Sequence, residues 1–153
     1  MRYFKLSQDR RIPYGVLLSD VDKIDGYYES KSGDLFNLPD VVPSSIAPSP
    51  LNFYPDILDR QFFMVKGAVK EVFDMFLPKA EYKHCCLLDN SNSEYFVYYI
   101  PVLDVMKLSE GLEHGGHIFR IAGTKEIEVA ASLAAAEAVL RRKPVGVRVS
   151  CVD

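Results

Sequence analysis

The sequence predicts an α+β protein, with two principal helices packed on a mostly antiparallel or mixed sheet of about six to eight strands. Two observations lead to this fold class. A strand–helix–strand pattern occurs twice in the second half of the chain, at residues 62–89 and 126–153. A length of 153 residues, 48% of them hydrophobic, is enough for one domain with its own core. We therefore expect residues 1–153 to form a single domain.

The first third of the chain is predicted to be mostly extended. Residues 2–6 alternate in polarity and indicate an edge strand, and residues 14–18 form a second short apolar run. Residues 37–55 hold five prolines, which exclude a helix or a central strand. Because this segment is also rich in apolar side chains, we expect an ordered, extended strap lying over the domain. Residues 55–59 are expected to form one helical turn, since Pro55 suits the first position of a helix.

The first repeat begins with a buried strand at residues 62–65 and continues into a helix. Apolar side chains at positions i, i+3, i+4 and i+7 indicate this helix, and they are Val69, Val72, Phe73 and Phe76. A proline at position 78 ends it. Strands at 82–88 and 94–102 flank a turn rich in Asn and Ser, which predicts a hairpin.

The second repeat follows a predicted loop at residues 109–116 and a strand at 117–121. Its helix is predicted to start near Ser132, a residue type favoured at the N-cap. The alanine-rich middle of this helix has high intrinsic propensity. A proline and a glycine end the helix, and residues 145–152 alternate in polarity as a final strand.

Charge and cysteine content narrow the class of protein. The net charge of −3 argues against a nucleic-acid partner, because binding to phosphates requires a basic surface. The apolar runs are too short to span a membrane, and no secretory hydrophobic segment follows Met1. The three cysteines are odd in number, which favours reduced thiols. We expect a cytoplasmic protein with no cofactor and no membrane partner, and the oligomeric state stays open.

One short cluster with residue types capable of chemistry is His84-Cys85-Cys86. A strand would place His84 and Cys86 on one face and Cys85 on the other. A Cys–His pair could support a thiolate nucleophile, and together with Cys151 the cluster could bind zinc. No CxxC spacing is present, and buried packing is the simpler explanation of these cysteines.

A second such cluster is His114-Gly115-Gly116-His117, whose two imidazoles could chelate a metal. No HExxH motif or third ligand at a recognisable spacing accompanies them. A glycine turn with solvated histidines is the simpler interpretation. We predict no catalytic and no metal-binding residue in the chain.

A third cluster is acidic and aromatic, and it consists of Asp20, Asp22, Asp25, Tyr27, Tyr28 and Glu29. Its spacing differs from that of a calcium-binding loop, because Ile24 stands where a third oxygen ligand belongs. Isolated charge clusters are usually solvated loops. Tyrosines and charges also occur in protein interfaces, so the alternative interpretation is a contact region for a protein partner.

Three segments together resemble a family of bacterial polymorphic-toxin immunity proteins, immunity family eleven. PDILDRQFFMVKGAVKEVFDMF, residues 55–76, is similar to the family's central strand and amphipathic helix. HIFRIAGTKEIEVAASLAAAEAVLRRKPVGVRV, residues 117–149, is similar to its closing strand–helix–strand unit. RYFKLSQD, residues 2–9, has the character of the family's opening.

This resemblance implies binding without chemistry. The protein would be a non-enzymatic immunity protein that stays in the cytoplasm, and its partner would be a cognate toxin domain. Such masking would use an interface of about 800 Å² on each partner. The acidic segment from Asp20 to Glu29 is the hypothesised contact region, where negative charge would steer a basic toxin.

Two other functions remain as alternatives. One is a small metal- or thiol-dependent enzyme that uses His84 and Cys86 together with His114 or His117. The other is a regulatory subunit that binds a different protein. The second differs from an immunity protein only in the identity of its partner.

Overall fold

The computed structural model describes residues 2–12, 16–46, 52–89 and 94–152, which form two five-stranded sheets and four α-helices. The strands are β1 (Tyr3–Gln8), β2 (Val41–Ser45), β3 (Ile57–Leu58), β4 (Met64–Val65), β5 (Tyr82–Asp89), β6 (Glu94–Pro101), β7 (Val105–Met106), β8 (Ile118–Ile121), β9 (Val129–Ser132) and β10 (Val147–Cys151). The helices are α1 (Tyr27–Ser30), α2 (Gly67–Phe76), α3 (Leu108–His114) and α4 (Leu133–Arg141), and a 3-10 turn covers Val21–Lys23.

The two sheets have different strand orders. The first sheet runs β10-β1-β9-β8-β7, and the second runs β2-β5-β6-β4-β3. Each sheet is mixed, because each has one parallel pair at an edge, β7 with β8 in the first sheet and β2 with β5 in the second. The α+β class predicted from the sequence is therefore present, in the form of two mixed sheets.

The repeated strand–helix–strand pattern is present in three dimensions. Helix α2 connects β4 to β5, and α4 connects β9 to β10. In each unit the two strands run parallel and are separated by one antiparallel strand, β6 in the second sheet and β1 in the first. Both copies therefore have the same split β-α-β arrangement.

The main core lies where the two long helices meet both sheets. Helix α2 buries three members of the predicted stripe, Val69, Val72 and Phe73, and packs the fourth, Phe76, half-buried against the same core. Helix α4 buries alanines and a valine, and the small alanine side chains allow a close approach to the sheet. Ser132 caps α4 as predicted, because its hydroxyl accepts a hydrogen bond from the backbone N–H of Ala135 at 3.2 Å. Both helices are therefore fixed by burial of one face.

The other face of the second sheet is covered by the chain that precedes it. Val16, Leu18, Tyr27 and Leu38 pack there against the sheet, and Val42 of β2 joins the same cluster. On the first sheet, Tyr3 and Phe119 form a smaller cluster beside α3. The segment from residue 16 to residue 46 is therefore part of the folded core, although only one four-residue α-helix and one strand occur within it.

Four predictions about local structure need correction. The strand predicted at the N-terminus is not at an edge, because β1 lies between β9 and β10. Residues 55–59 do not form a helical turn. Ile57 and Leu58 pair instead with β4 as buried strand β3, and an apolar dipeptide with both side chains buried suits a sheet better than a surface turn. The described part of the chain has ten strands, more than the predicted six to eight, while the two principal helices that were predicted are α2 and α4, accompanied by the shorter α1 and α3.

The fourth correction concerns residues 109–116, which were expected to be loop but largely form α3. Gly111 lies inside this helix, and glycine has low helix propensity, so the sequence did not indicate a helix here. Gly111 is required by packing, because a Cβ there would lie 2.4 Å from the ring of Phe119. Gly115 then ends the helix in the left-handed conformation, with φ of 64°.

Some predicted features lie wholly or partly outside the described residues. The turn between β5 and β6 is one of them, although the antiparallel pairing of the two strands agrees with the predicted hairpin. Within the proline-rich segment, residues 41–45 form β2, an edge strand that tolerates Pro43, and residues 47–51 are not described. Part of the apolar run at 14–18 is likewise not described.

Candidate partner-binding surface

The acidic cluster of the sequence lies on the 3-10 turn and α1. Gly26 makes the fold of this segment possible, since its φ is 81° and a Cβ would lie 2.6 Å from the backbone of Asn37 and Leu38. This close approach brings the start of α1 against residues 37 and 38. Residues 20–29 and the turn that follows them therefore belong to one surface.

Tyr27 is the member of the cluster that does not face solvent. It is only 7% exposed, and its ring meets the ring of Phe62 edge-on at 5.3 Å between centroids. Tyr28, the next residue, is 66% exposed. The exposed members of the predicted cluster are Asp20, Asp22, Asp25, Tyr28 and Glu29.

Phe36 is a surface residue that the sequence analysis did not identify. It is 88% exposed, the highest value among the exposed large apolar side chains of the described residues. The side chain of Asp34 accepts a hydrogen bond from the Phe36 backbone N–H at 3.0 Å, which holds the turn. A phenylalanine presented in this way would lose solvent contact when a partner binds, with a favourable free-energy change.

We use the name acidic surface for the exposed residues between positions 20 and 40. This stretch contains six carboxylates and two lysines, whereas the whole chain has a net charge of only −3. Lys31 is exposed, and its Nζ lies 4.9 Å from the centroid of the Tyr27 ring. The hydrogen bond from Lys83 to Asp40, at 2.9 Å, lowers the pKa of that carboxyl below its ordinary value. The remaining carboxylates give the surface a concentrated negative charge.

Arg120 of β8 attaches the acidic surface to the first sheet. Its guanidinium donates to the backbone carbonyl of Ser30 at 3.0 Å and also to that of Lys31, at the end of α1. Arg120 is 8% exposed, and burial lowers the pKa of its guanidinium. No carboxylate pairs with it among the described ion pairs, so these carbonyls, at the negative end of a helix, are its partners.

The His84-Cys85-Cys86 cluster has the strand geometry that was predicted. Cys85 is fully buried against the inner cluster of the second sheet, whereas His84 is exposed and Cys86 half-buried on the opposite face. Burial raises the pKa of the Cys85 thiol to about 12. At neutral pH this thiol is therefore protonated, which disfavours nucleophilic attack.

The two histidines near α3 belong to a different part of the molecule. His114 is exposed in the last turn of α3, and the Nδ1 of His117 lies 2.8 Å from the hydroxyl of Ser132. The His117 ring also packs on Phe76 at 5.1 Å, whereas His84 packs on Tyr99. Within the described residues, no group of three His, Cys, Asp or Glu side chains is placed to hold a metal ion.

The burial of the three thiols gives a direct chemical prediction. Native protein treated with iodoacetamide at neutral pH is expected to be alkylated at exposed Cys151 and left unmodified at Cys85. Peptide mass spectrometry measures the fraction modified at each site. Protein unfolded in urea serves as the control, in which all three thiols should react. Rapid native alkylation of Cys85 would contradict the buried position of that strand face.

Part of the exposed face of the second sheet is also apolar. Val41, Leu88 and Tyr95 are 55%, 47% and 72% exposed, and Leu88 lies directly opposite Tyr95 in the β5–β6 ladder. His84 and Cys86 share this face with them. The strand alternation predicted which side chains share a face, but not that α2 leaves this end of the face uncovered.

No helix within the described ranges combines the length and the apolar character that a membrane crossing requires. Neither a protein-family model nor a curated protein matches this chain.

Proposed function

We propose that the protein is a non-enzymatic immunity protein that binds and neutralises a cognate toxin domain, and that the acidic surface is part of the contact. The observation that supports this most is Phe36, an 88% exposed aromatic side chain flanked in the sequence by Asp34 and Asp40. Soluble proteins do expose single apolar side chains. A largely exposed phenylalanine in an ordered turn, on the same segment as exposed Tyr28, has the composition of an interface centre.

The charge of the surface indicates the chemistry of the partner. Carboxylates around an aromatic centre attract a basic protein surface and accelerate its approach. At physiological ionic strength this attraction extends only about 8 Å, so capture should weaken as salt is added. The partner is therefore proposed to be a domain with a basic face, complementary to Asp20, Asp22, Asp25 and Glu29.

The residues packed beneath the acidic surface hold it in one conformation, so the partner would meet a rigid surface. Tyr27 is buried beside Tyr28, and Arg120 holds the end of α1 by two hydrogen bonds. A surface that is already ordered loses little conformational entropy on binding. Rigid binding of this kind suits an inhibitor that must capture its target tightly.

Co-purification from the native cell tests the proposed function. The tagged full chain should retain a protein domain that inhibits growth when it is expressed alone in a host cell. Co-expression of the chain with that domain should restore growth. A retained partner with no toxicity would contradict the immunity function and favour the regulatory-subunit alternative.

A charge-reversal variant tests the surface itself. Replacing Asp20, Asp22 and Asp25 by lysine should reduce retention of the partner at low salt, since each change removes attraction and adds repulsion. The matched control is the triple lysine variant of three exposed carboxylates elsewhere, Asp104, Glu110 and Glu113. Equal retention of both variants at low salt would reject the acidic surface as the contact region.

A further inference from the structure

A groove with the opposite charge lies beside the acidic surface. Four segments distant in sequence form it: the turn after β1, the end of α1, the β3–β4 connection and the β8–β9 connection. Its volume is about 450 Å³, within the range of small-molecule sites. Its cationic side chains are Arg10, Lys31, Arg60 and Lys125, and its carboxylates are Asp59 and Glu126.

The carboxylate of Asp59 is already engaged inside the protein. Its side chain is 5% exposed, and it accepts hydrogen bonds from Arg10 at 2.8 Å and from the backbone N–H of Gln8 at 3.0 Å. Arg10 and Asp59 therefore neutralise each other. Among the described residues of the groove, Glu126 is then the one carboxylate opposed to three remaining cations.

Arg60 and Lys125 have no ion-pair partner among the described residues. Both are exposed at the groove, as is Lys31. Cations placed together without counter-charges repel one another, and a bound anion would relieve that repulsion. Lys31, Arg60 and Lys125 together with Glu126 leave a net charge of +2, which a dianion would neutralise.

The lining of the groove narrows the class of ligand. Among the described residues that line it, Ile127 is the one apolar residue and none is aromatic, so these side chains offer a flat nucleobase no stacking surface. An adjoining recess of about 260 Å³ shares Arg10, Asp59, Glu126 and Ile127 and is also lined by Ser7, Gln8, Ser150 and two cations, Arg148 and Lys5, the second of which pairs with Glu128. Hydroxyl groups and Glu126 suit a ligand that itself carries hydroxyls.

We propose that this groove binds a phosphate monoester of a small polyhydroxylated molecule. The phosphate, a dianion over most of the neutral range, would lie among Lys31, Arg60 and Lys125. The ligand's hydroxyls would donate to Glu126 and reach toward the adjoining recess. Lys31 belongs both to this site and to the acidic surface, whereas Arg60 and Lys125 lie outside that surface, and the proposed binding requires no toxin partner.

Isothermal titration calorimetry of the full chain tests the site with three probes: glucose 6-phosphate, inorganic phosphate and glucose. Saturable binding is expected for glucose 6-phosphate, weaker binding for inorganic phosphate, and none for glucose. Replacing Arg60 and Lys125 by glutamine should weaken glucose 6-phosphate binding by about tenfold or more, equivalent to about 1.4 kcal/mol. The variant Glu126→Gln should bind inorganic phosphate more tightly and reduce the advantage of glucose 6-phosphate over it.

The control changes one arginine and one lysine that are exposed outside the groove, Arg2→Gln with Lys107→Gln. It removes the same total charge and should leave binding of glucose 6-phosphate unchanged. Three outcomes would overturn the proposal: no saturation up to about 10 mM ligand, equal loss in the control, or full affinity in the Arg60 and Lys125 variant. Circular dichroism of each variant establishes that a lost affinity does not come from unfolding.

Discussion

Replacing Phe73 by alanine is expected to destabilise the protein by about 3–5 kcal/mol, which is a large part of the stability of a domain of this size. Phe73 is fully buried on α2 in the core that both sheets and α4 share. Its ring lies 6.0 Å from that of Phe63, measured between centroids. The change removes a buried aromatic ring and leaves a cavity, which closes only in part because the surrounding core is closely packed. Urea unfolding followed by circular dichroism measures the difference.

The comparison residue for this experiment is Met75, on the same helix but 59% exposed. Met75→Ala should change the free energy of unfolding by less than about 0.5 kcal/mol. Similar effects of the two substitutions would mean that α2 does not bury the face that contains Phe73. That result would contradict the conclusion that the helices of both repeats pack in one shared core.

Replacing Arg120 by leucine is expected to release α1 from the first sheet and to cost about 3 kcal/mol or more. The reason is that each of its two hydrogen bonds involves a charged donor, and such bonds contribute about 1.5–3 kcal/mol. Leucine also leaves the carbonyls of Ser30 and Lys31 without these donors. Hydrogen exchange of the amides between Gly26 and Gly33 measures the release, and urea unfolding measures the stability.

Arg120→Lys provides the control for charge. Lysine keeps the positive charge but lacks the planar fork that reaches two carbonyls at once, so an intermediate effect is expected. If both variants retained the exchange protection of α1, Arg120 would not be its anchor. If the leucine variant lost protection throughout the chain, Arg120 would support the whole fold rather than this segment.

The sequence predicted the long elements because their patterns are strong. The stripe at Val69, Val72 and Phe73 and the alternation in β5 and β6 each arise from burial of one face, which leaves a period in the sequence. The N-cap at Ser132 was readable for a local reason, since the hydroxyl contacts a backbone N–H three residues later. These features depend on neighbours within a few positions of the chain.

The missed elements depend on distant contacts. Strands β3 and β7 are two residues long, so no alternation could reveal them. A glycine stands within α3 at position 111 because the ring of Phe119 leaves no room for a Cβ, and β1 is internal because β10 arrives from the other end of the chain. In each repeat a third strand lies between the two strands of the unit, β6 in one sheet and β1 in the other. Neither repeat's sequence indicates this inserted strand, so the sequence did not show that the repeats belong to separate sheets, and a single sheet was predicted.

The acidic surface could be predicted only in part. The carboxylates at positions 20, 22 and 25 are visible as a cluster, but the burial of Tyr27 depends on Phe62, 35 residues away. The exposure of Phe36 runs against its residue type, so no local rule would select it. The cationic groove could not be predicted from the sequence, because its charged residues come from four separate segments of the chain.

The central claim is that the protein recognises its partner through the acidic surface. The most direct test of this claim is the affinity of the purified partner domain for the chain. Titration calorimetry with the wild type and with the triple lysine variant at positions 20, 22 and 25 should be done at low and at physiological salt. We expect the wild type to bind more tightly at low salt and the variant to lose at least about tenfold in affinity there, equivalent to about 1.4 kcal/mol. Equal affinities of the two proteins at low salt would contradict the claim.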